Sequence, residues 1–455
     1  MRNMGRPTRF AQDYRVGLCH CRIHPATRPG RSIQGWYPLT SNPSRRVVVV
    51  GSGVIGAACS HFLTELGYKI TILDRADFGS QCSSGNCGNI CPSHIAPLAE
   101  PGAVRHAVLS WLRGETTVFI KPRLDLPLLT WLYQFSRHCT KRSMLDACRA
   151  NHALLNQSRH LYEELITRFD LACEWHTEGN LHVFLTQKTL ATHDRKQALM
   201  AKEFSLRGQR LEGEELTDFE PALRSGLAGG WYYPGDAHLR PDRLLQSWRD
   251  SLNERGATIV ERLEVTGLAT SGSTATHLIT QSGDVAADHF VFTTGALTPK
   301  LSSQLGCRLP IQPGKGYSLT MRRPELCPAL PVHFVDHNVV ATPMDTALRI
   351  GSIMEFSGYD DRLNPDRLQA LKSGARQYLQ KLEEDPTEAP WCGWRPMTPN
   401  GLPRIGPCPI ANNVYVAAGH NMLGMSMAPA TGQLIAQMID RRTLTLDPRP
   451  YAING

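Results

Sequence analysis

Apolar and polar residues near the start of this chain follow one clear pattern: a strand, a helix and a second strand. Arg46 to Val50 is a short β-branched apolar run, which is typical of a buried parallel strand. A glycine-rich turn comes directly after it, and Ala57 to Leu66 then predicts a helix that ends at Gly67. Lys69 to Leu73 predicts the second strand, so the folded part of the chain is expected to open with a βαβ unit.

Similar patterns predict further elements along the chain. Residues 126–215 are expected to be largely helical, and residues 231–241 to be a turn-rich connection. Residues 308–360 alternate between β-type runs and turns, which predicts a mixed or antiparallel sheet. The other predicted helices are Asp242–Glu254, Pro365–Leu382 and, approximately, Pro429–Ile439, and the other predicted strands include Thr258–Glu261, His289–Phe292 and Val414–Ala418.

These elements predict an α/β fold with an α+β substrate domain. A Rossmann-like, dinucleotide-binding domain is expected from discontinuous segments, residues 45–95, 225–305 and 391–445. Residues 96–224 and 306–390 are expected to form the substrate domain, which contains the mixed or antiparallel sheet. A core divided in this way places the ligand where the two domains meet.

The distribution of charge argues against nucleic-acid binding. The net charge is +8, and residues 1–46 contain nine Arg, one Asp and neither Lys nor Glu, so they account for the whole excess. A nucleic-acid-binding domain instead carries its positive charge on the fold itself. Residues 1–44 are expected to be a basic extension that is disordered, and it is either a transit-like segment or the product of a start codon placed too far upstream; it contains no apolar core of a secretory signal.

The cysteines indicate a reducing compartment and no metal site. Thirteen cysteines are scattered through the chain, which does not suggest a disulfide framework, so a cytoplasmic location is expected. Cys82, Cys87 and Cys91 lack the fourth ligand of an iron–sulfur cluster. The Cys-His-Cys group at residues 19–21 lacks the second cysteine pair of a zinc site.

Gly51, Gly53 and Gly56 form a G-x-G-x-x-G motif between the first strand and the first helix. Gly51 suits a tight turn, Gly53 lets the backbone approach a pyrophosphate, and Gly56 lets the helix pack closely on the strand. The unpaired N–H groups at the start of the helix attract phosphate. Asp74 follows the second strand, where a carboxylate accepts hydrogen bonds from ribose hydroxyls and disfavours a 2′-phosphate. The motif and its context therefore predict a dinucleotide cofactor other than NADP.

The segment after the βαβ unit favours FAD over NAD. A plain NAD-binding domain continues with further βα units, whereas a loop of small residues, Ser83 to Asn89, follows here. Such a loop can lie close to a planar ring. The second half of the dinucleotide domain is displaced to residues 240–300 and 391–440. FAD is therefore the expected cofactor.

Five stretches of the chain resemble the D-amino-acid oxidase superfamily of FAD-dependent enzymes, and within it the D-amino-acid dehydrogenases. They are Val47–Gly56 with Asp74, Ser83–Gly102, Gly179–Phe184, Trp394–Pro403 and Gly419–Gly432. The resemblance implies non-covalently bound FAD, a substrate held over the flavin by its carboxylate, and hydride transfer from the α-carbon. It also implies an imino product that hydrolyses to a 2-oxo acid and ammonia.

The resemblance assigns residues to the site. Arg395 is expected to bind the substrate α-carboxylate, because a guanidinium forms a bidentate pair with a carboxylate. His420 is expected near the ring or the substrate, with a buried core histidine as an equal alternative. Tyr317 is expected to donate its hydroxyl to the carboxylate, and the alternative is an aromatic sheet residue. The residues expected to bind FAD are Val50, Gly51, Gly53, Val54, Ile55, Gly56, Asp74, Arg75, Ser83, Asn86, Gly88, Asn89, Gly419, Asn421, Leu423 and Gly424.

Two departures from the family pattern leave the substrate open. Cys87 stands where alanine is expected, and Asn421 and Met422 replace the commoner Gly-Thr pair. The alternatives are a D-hydroxyproline dehydrogenase, an oxygen-using oxidase of glycine or sarcosine type, and a non-catalytic flavoprotein.

The expected partners are an amino-acid substrate and an electron acceptor, either a quinone or an electron-transfer protein. Leu124 to Phe135 is an apolar stretch, predicted either as core or as a peripheral contact with a membrane. By resemblance, bacterial members pass electrons to the respiratory chain on the inner face of the plasma membrane, which makes that face the second expected location.

Overall fold

The predicted βαβ unit lies at the start of the described chain. The computed structural model describes residues 45–112, 118–123, 125–382 and 385–453, so the predicted extension at residues 1–44 lies outside it. Strand β1 (Arg46–Val50), helix α1 (Val54–Glu65) and strand β2 (Lys69–Leu73) confirm the unit, and β1 pairs in parallel with β2. Helix α1 begins three residues earlier than predicted, so Gly56 lies in its first turn, where a side chain would overlap the Gly51 carbonyl group.

The remaining elements follow in chain order. The other helices are α2 (Ala103–Leu112), α3 (Leu126–His138), α4 (Lys141–Phe169), α5 (Gln187–Phe204), α6 (Gly213–Phe219), α7 (Pro241–Glu254), α8 (Ser302–Leu305), α9 (Pro365–Arg376) and α10 (Gly424–Ile439). The other strands are β3 (Asn89–Ile90), β4 (Val118–Ile120), β5 (Asn180–Phe184), β6 (Gln209–Leu211), β7 (Gly229–Tyr233), β8 (Ala237–His238), β9 (Thr258–Val260), β10 (Val265–Ser271), β11 (Thr274–Thr280), β12 (Gly283–Ala286), β13 (His289–Phe292), β14 (Gln312–Arg322), β15 (Val332–Phe334), β16 (Val339–Pro343), β17 (Ala347–Phe356), β18 (Trp391–Met397), β19 (Arg404–Pro407) and β20 (Val414–Ala418).

Among the described residues, a six-stranded sheet contains the βαβ unit, in the order β19-β20-β13-β1-β2-β9. Five of its strands run parallel, and the edge strand β19 runs antiparallel to β20. The strands come from three separate parts of the sequence, as predicted for a discontinuous dinucleotide-binding sheet. The order places the carboxyl ends of β1, β2 and β13 along one edge, where open parallel sheets bind ligands.

A second large sheet is mixed. Within the described chain it has nine strands in the order β18-β14-β17-β16-β15-β5-β7-β6, with β4 beside β17. The β4–β17 and β5–β15 pairs are parallel and the other pairs are antiparallel. Together the two sheets confirm the predicted fold class, whereas the exact domain boundaries remain a prediction.

Both faces of the six-stranded sheet are buried, which explains the uninterrupted apolar sequence of β1. Val47 and Val49 face one hydrophobic cluster, which also contains residues of α1, α4, α7 and α10. Val48 and Val50 face the opposite cluster, which includes residues of β10, β11 and β13. A parallel strand covered on both sides has no polar face to expose, so its sequence shows no alternation.

Helix α10 begins at Gly424, five residues before its predicted start, and contains Pro429 in its interior. Proline lacks the N–H that would bond to the carbonyl four residues earlier, which belongs to Met425. The Tyr162 hydroxyl on α4 donates to that carbonyl oxygen at 2.7 Å. A tertiary hydrogen bond therefore satisfies the group that proline leaves free, and the helix continues through it.

The region predicted to be largely helical also contains strands. β5 lies between α4 and α5, and β7 overlaps the start of the predicted turn-rich connection, residues 231–241. All five residues of β5 are buried, and its partners β7 and β15 are distant in sequence. Such pairing overrides local pattern, so neither strand was predicted. In the described ranges, no helix combines the length and apolar content required to cross a membrane.

Candidate functional site

A cavity of about 530 Å³ lies at the carboxyl ends of β1 and β2. Its other walls come from residues 293–301 after β13, from β18, and from the turn between β20 and α10. It brings together many residues that the sequence predicted for the site. Those that line it are Val50, Gly51, Gly53, Val54, Ile55, Asp74, Arg75, Ser83, Asn86, Arg395, His420, Asn421 and Gly424.

The turn between β1 and α1 requires its glycines. Gly51 has a φ of 103°, and a Cβ there would lie 2.8 Å from the Thr293 carbonyl oxygen. Gly53 caps α1 without a side-chain hydrogen bond, and no acidic residue lies in the first turn. The Val54 N–H donates to the Ser83 hydroxyl at 3.1 Å. The positive end of the helix therefore faces the cavity with no acidic residue in its own first turn, which suits a phosphate group.

Asp74 holds the end of β2 against the same turn. Its carboxylate accepts hydrogen bonds from the N–H and hydroxyl of Ser52, at 2.6 and 2.7 Å, and from the Ala76 N–H at 2.9 Å. These bonds fix the orientation of the carboxylate. An ionised carboxylate has about four acceptor positions, and three are used here, so Asp74 can still accept from a hydroxyl group of a ligand.

The loop 82–86 forms one wall of the cavity, and the nine-stranded sheet holds it in place. Arg349 on β17 is 3% exposed and donates to two carbonyl oxygens of the loop, at 2.9 and 3.0 Å. Ser318 on β14 donates to a third at 2.9 Å. Gly85 leaves space for the Trp391 indole, which a Cβ at this position would overlap. Buried side chains of the nine-stranded sheet thus position a loop that comes after strand β2 of the six-stranded sheet.

Arg395 on β18 lies between the cavity and the β14–β17 pair. Its Nη1 donates to the Ile353 carbonyl at 2.9 Å and its Nη2 to the Ser352 carbonyl at 3.0 Å. Gly316 creates the space for the guanidinium, because a Cβ there would overlap it. Burial lowers the pKa of Arg395, and in the part of the chain that the structure describes no carboxylate forms an ion pair with it. A partly buried cation without a counter-ion attracts an anionic ligand.

The two carbonyl groups that bind Arg395 come from a strained bulge in β17. Lys315 and Tyr317 on β14 pair with Glu355 and Ser352, so β17 has one extra residue between the two pairs. Ser352 and Ile353 have φ values of 105° and 36°. Positive φ is uncommon for serine and rare for a β-branched residue, and costs about 1–3 kcal/mol at each. Strain of this size persists where surrounding structure enforces it, often at functional sites.

His420 and Asn421 occupy the turn after β20. His420 is 2% exposed, its Nε2 lies 3.0 Å from the Thr431 hydroxyl, and burial lowers its pKa to about 3. It is therefore both a buried histidine and a neutral cavity residue. The Asn421 side chain accepts from the Thr398 N–H at 2.8 Å and donates to the Gly419 carbonyl at 3.0 Å. These bonds join the turn to the segment after β18.

Tyr317 is not among the described residues that line the cavity. It is 1% exposed, and its hydroxyl donates to the Glu355 carboxylate at 3.0 Å. Burial, together with this carboxylate, raises the pKa of Tyr317. The alternative of an aromatic sheet residue fits these contacts, and its predicted contact with a substrate carboxylate has no support from them.

Other predicted FAD residues also lie outside the described lining, namely Gly56, Gly88, Asn89, Gly419 and Leu423. Sequence reasoning missed several that form the walls, namely Leu263–Val265, Thr293–Leu297, Lys300, Leu301, Asp361, Trp391–Trp394, Met422 and Met425. The apolar strand that runs into Thr293-Thr294-Gly295 carried a usable signal for one wall. The Thr293 hydroxyl contacts the carbonyl oxygens of Val50 and Gly51 at 2.9 and 2.8 Å.

Comparison with known proteins gives consistent matches. A family model described as DAO, FAD dependent oxidoreductase, matches residues 46–438. D-amino acid dehydrogenase of Granulibacter bethesdensis is 30% identical over 419 residues, 90% of this chain and 99% of that relative. D-amino acid dehydrogenase of Vibrio vulnificus is 32% identical over 407 residues, 87% and 95% of the two chains. Glycine oxidase of Geobacillus kaustophilus has a similar fold, with a TM-score of 0.72, 24% identity and coverage of 90% and 99%.

Proposed function

Because this chain belongs to the DAO family of FAD-dependent oxidoreductases, we propose that it oxidises the C–N bond of a D-amino acid. The imino product hydrolyses in water to a 2-oxo acid and ammonia. The preference for the D-enantiomer rests on the D-amino acid dehydrogenases that are about 30% identical to this chain over most of its length. We further propose a quinone or an electron-transfer protein as the final electron acceptor.

The residues of the cavity fit FAD. The bare glycine turn and the N-terminus of α1 offer backbone N–H groups to a pyrophosphate. Asp74 offers its carboxylate to ribose hydroxyls, and Ser83 and Asn86 line the same cavity as Arg395 and His420. When bound, FAD supplies the acceptor for a hydride from the substrate.

Arg395 is the observation that carries the proposal. Its guanidinium is held from behind by two backbone carbonyl groups and lines the cavity. A substrate α-carboxylate supplies the missing negative charge and, through paired hydrogen bonds, fixes the orientation of the α-carbon. Positioning of this kind contributes a large part of the rate in reactions whose chemistry the cofactor performs.

His420 has a different part in this scheme. Because its pKa is about 3, it remains neutral at physiological pH and does not compete with Arg395 for the carboxylate. Trp391, Trp394 and Met422 complete the lining with bulky groups that restrict water around the reacting carbon.

Replacing Arg395 by methionine tests the proposal. R395M should retain its flavin spectrum, but flavin reduction by D-amino acids under anaerobic conditions should require about 100-fold more substrate, since a charge-assisted bidentate pair is lost. R395K should recover part of the loss. R404M is the control, because burial lowers the pKa of Arg404 as it does that of Arg395, and Arg404, which is 3% exposed, does not line the described cavity. Unchanged substrate dependence in R395M would contradict the proposed role.

We also propose that the protein is cytoplasmic and contacts the inner face of the plasma membrane. Leu126, Leu129 and Tyr133 on α3 are 73%, 52% and 62% exposed, and Val104 and Val108 on α2 are 41% and 52% exposed. Five exposed basic residues on or beside these helices complement anionic lipid head groups, and they are Arg105, Lys121, Arg137, Lys141 and Arg142.

Sedimentation with vesicles that contain phosphatidylglycerol tests this contact. The wild-type protein should sediment with them, and a double variant, Leu126→Asp with Leu129→Asp, should remain in the supernatant at equal flavin content. Ile279→Asp is the control, because Ile279 is 42% exposed on β11, away from α2 and α3 in sequence. An equal loss in the control, or no sedimentation of the wild type, would argue against a membrane contact.

A further inference from the structure

Two cysteine thiols meet beside the edge of the six-stranded sheet. The Sγ atoms of Cys307 and Cys408 lie 3.8 Å apart, although 101 residues separate them in sequence. Cys307 follows α8 and is partly exposed, whereas Cys408 follows β19 and is 4% exposed. Neither residue belongs to a helix or strand, so small backbone and side-chain rotations can bring the sulfur atoms into bonding distance.

The two thiols have different environments. The Cys408 thiol donates to the Leu305 carbonyl oxygen at 2.8 Å, and its sulfur lies 3.8 Å from the Cys307 sulfur. When the single thiol proton of Cys408 turns to the Cys307 sulfur instead, it stabilises the Cys307 thiolate and lowers the pKa of Cys307. Among the other described cysteines, every pKa that shifts is raised. The main cause is burial, except at Cys408, where the hydrogen bond with Cys307 contributes most. Cys307 thus combines solvent access, a favoured thiolate and an adjacent second thiol, which are the features of an oxidation-sensitive cysteine.

We propose that Cys307 and Cys408 form a reversible disulfide when the protein meets hydrogen peroxide. The Cys307 thiolate attacks one peroxide oxygen, the O–O bond breaks, and the departing hydroxide takes a proton to form water. The resulting sulfenic acid is attacked by the Cys408 sulfur, so that the S–S bond forms and the S–O bond breaks. The hydroxide that leaves in this second step takes the Cys408 proton and becomes water. In total, two thiols and one hydrogen peroxide give one disulfide and two water molecules.

This disulfide joins two segments that flank the cavity. Cys307 closely follows residues 293–301, which form one wall. Cys408 precedes β20, which ends at the turn that contains His420 and Asn421. A bond between them restricts the relative movement of these segments and closes a loop of about 100 residues, which raises the thermal stability of the folded protein. The proposal extends beyond the oxidation of an amino acid and does not depend on it.

Mass spectrometry of the FAD-loaded protein tests the proposal. After treatment with a modest excess of peroxide and alkylation of the remaining thiols, trypsin should release residues 301–308 joined to residues 405–441. The joined peptide should disappear after reduction with dithiothreitol. The melting temperature of the oxidised protein should exceed that of the reduced protein by a few degrees.

Variants separate this pair from general cysteine oxidation. Cys307→Ser and Cys408→Ser should give neither the joined peptide nor the temperature shift. Cys327→Ser, which removes another partly exposed thiol, should give both. Alkylation of both Cys307 and Cys408 in the treated wild type, oxidation of Cys307 to a sulfinic acid without cross-linking, or a cross-link to another cysteine would each overturn the proposal.

Discussion

Replacing Gly316 by alanine moves the Arg395 guanidinium without removing its charge. Gly316 lies on β14 opposite Gly393 of β18, and its φ is outside the left-handed region, so alanine suits the backbone. The new Cβ would fall well inside the 3.4 Å at which ordinary contact begins with the guanidinium atoms. The head group therefore has to retreat and to weaken its bonds to the Ser352 and Ile353 carbonyls.

The size of the effect follows from the displacement. A retreat of roughly 1 Å at a positioning group costs about 100-fold in rate, which corresponds to about 2.7 kcal/mol of transition-state stabilisation. We therefore expect G316A to lower kcat/KM for a D-amino acid by about two orders of magnitude. The affinity for FAD should change little, because the added methyl group faces Arg395 rather than the glycine turn.

Anaerobic single-turnover reduction of the flavin at a series of substrate concentrations measures this effect. Gly235→Ala is the matched control, because a Cβ at Gly235 would meet no described atom within 4 Å. The control should behave as the wild type. Wild-type kinetics in G316A, at an unchanged melting temperature and flavin content, would refute the claim that the place of Arg395 governs the reaction.

Three further predictions concern the cofactor and stability. Arg349→Met should weaken FAD binding about tenfold or more in apoprotein titrations, because the carbonyl groups of the loop lose their buried donors. Arg349→Lys should weaken it less. Equal FAD affinity in the wild type and both variants would contradict this prediction. Asp74→Ala should weaken FAD binding by about tenfold, because one charge-assisted acceptor is lost, and it should leave the KM for the amino acid unchanged. A changed KM with unchanged FAD affinity would argue against a contact between Asp74 and the ribose. The urea midpoint should fall as the pH drops from about 6.5 towards 4. Histidines with a lowered pKa remain neutral in the folded protein, while the unfolded chain takes up protons. A constant midpoint from pH 7 to pH 4.5 would contradict this prediction. The histidines concerned have pKa values lowered mainly by burial, to about 3 for His94 and His420, about 4 for His193 and His333, and well below the usual value for His182.

The sequence predicted the elements whose stability is local. β1, β2, β13 and β20 have the predicted residues or nearly so, because parallel strands buried on both faces produce uninterrupted apolar runs between turn residues. The helix α7 likewise matches within one residue, since Pro241 at its first position marks its start.

Features that depend on distant partners were not predicted, such as the first turn of α10 and the strand β5. Helix α10 passes through Pro429 because Tyr162, from another helix, takes the carbonyl that proline leaves unpaired. β5 is a strand because β7 and β15 lie beside it. Local pattern contains none of this information, and it began α10 at Pro429, since proline is favoured in the first turn of a helix and disfavoured in its interior.

The candidate site shows the same division. The glycine turn and Asp74 were found because each performs its task through backbone geometry next to its own sequence motif. Arg395 was found only through resemblance, and its support by Gly316 and the strained bulge at Ser352 and Ile353 requires three strands to be adjacent. Tyr317 was assigned to the site because its sheet was expected to border the substrate, but its hydroxyl is bound to Glu355.

The most direct test of the central claim is an anaerobic titration of the purified protein, followed through its visible flavin spectrum. A panel of D-amino acids, their L-enantiomers, sarcosine and both hydroxyproline isomers should be added separately. The oxidised flavin band should disappear with D-amino acids and persist with the matching L-enantiomers if the protein oxidises D-amino acids. A yellow protein that no D-amino acid reduces, or a preparation that never binds FAD, would contradict it.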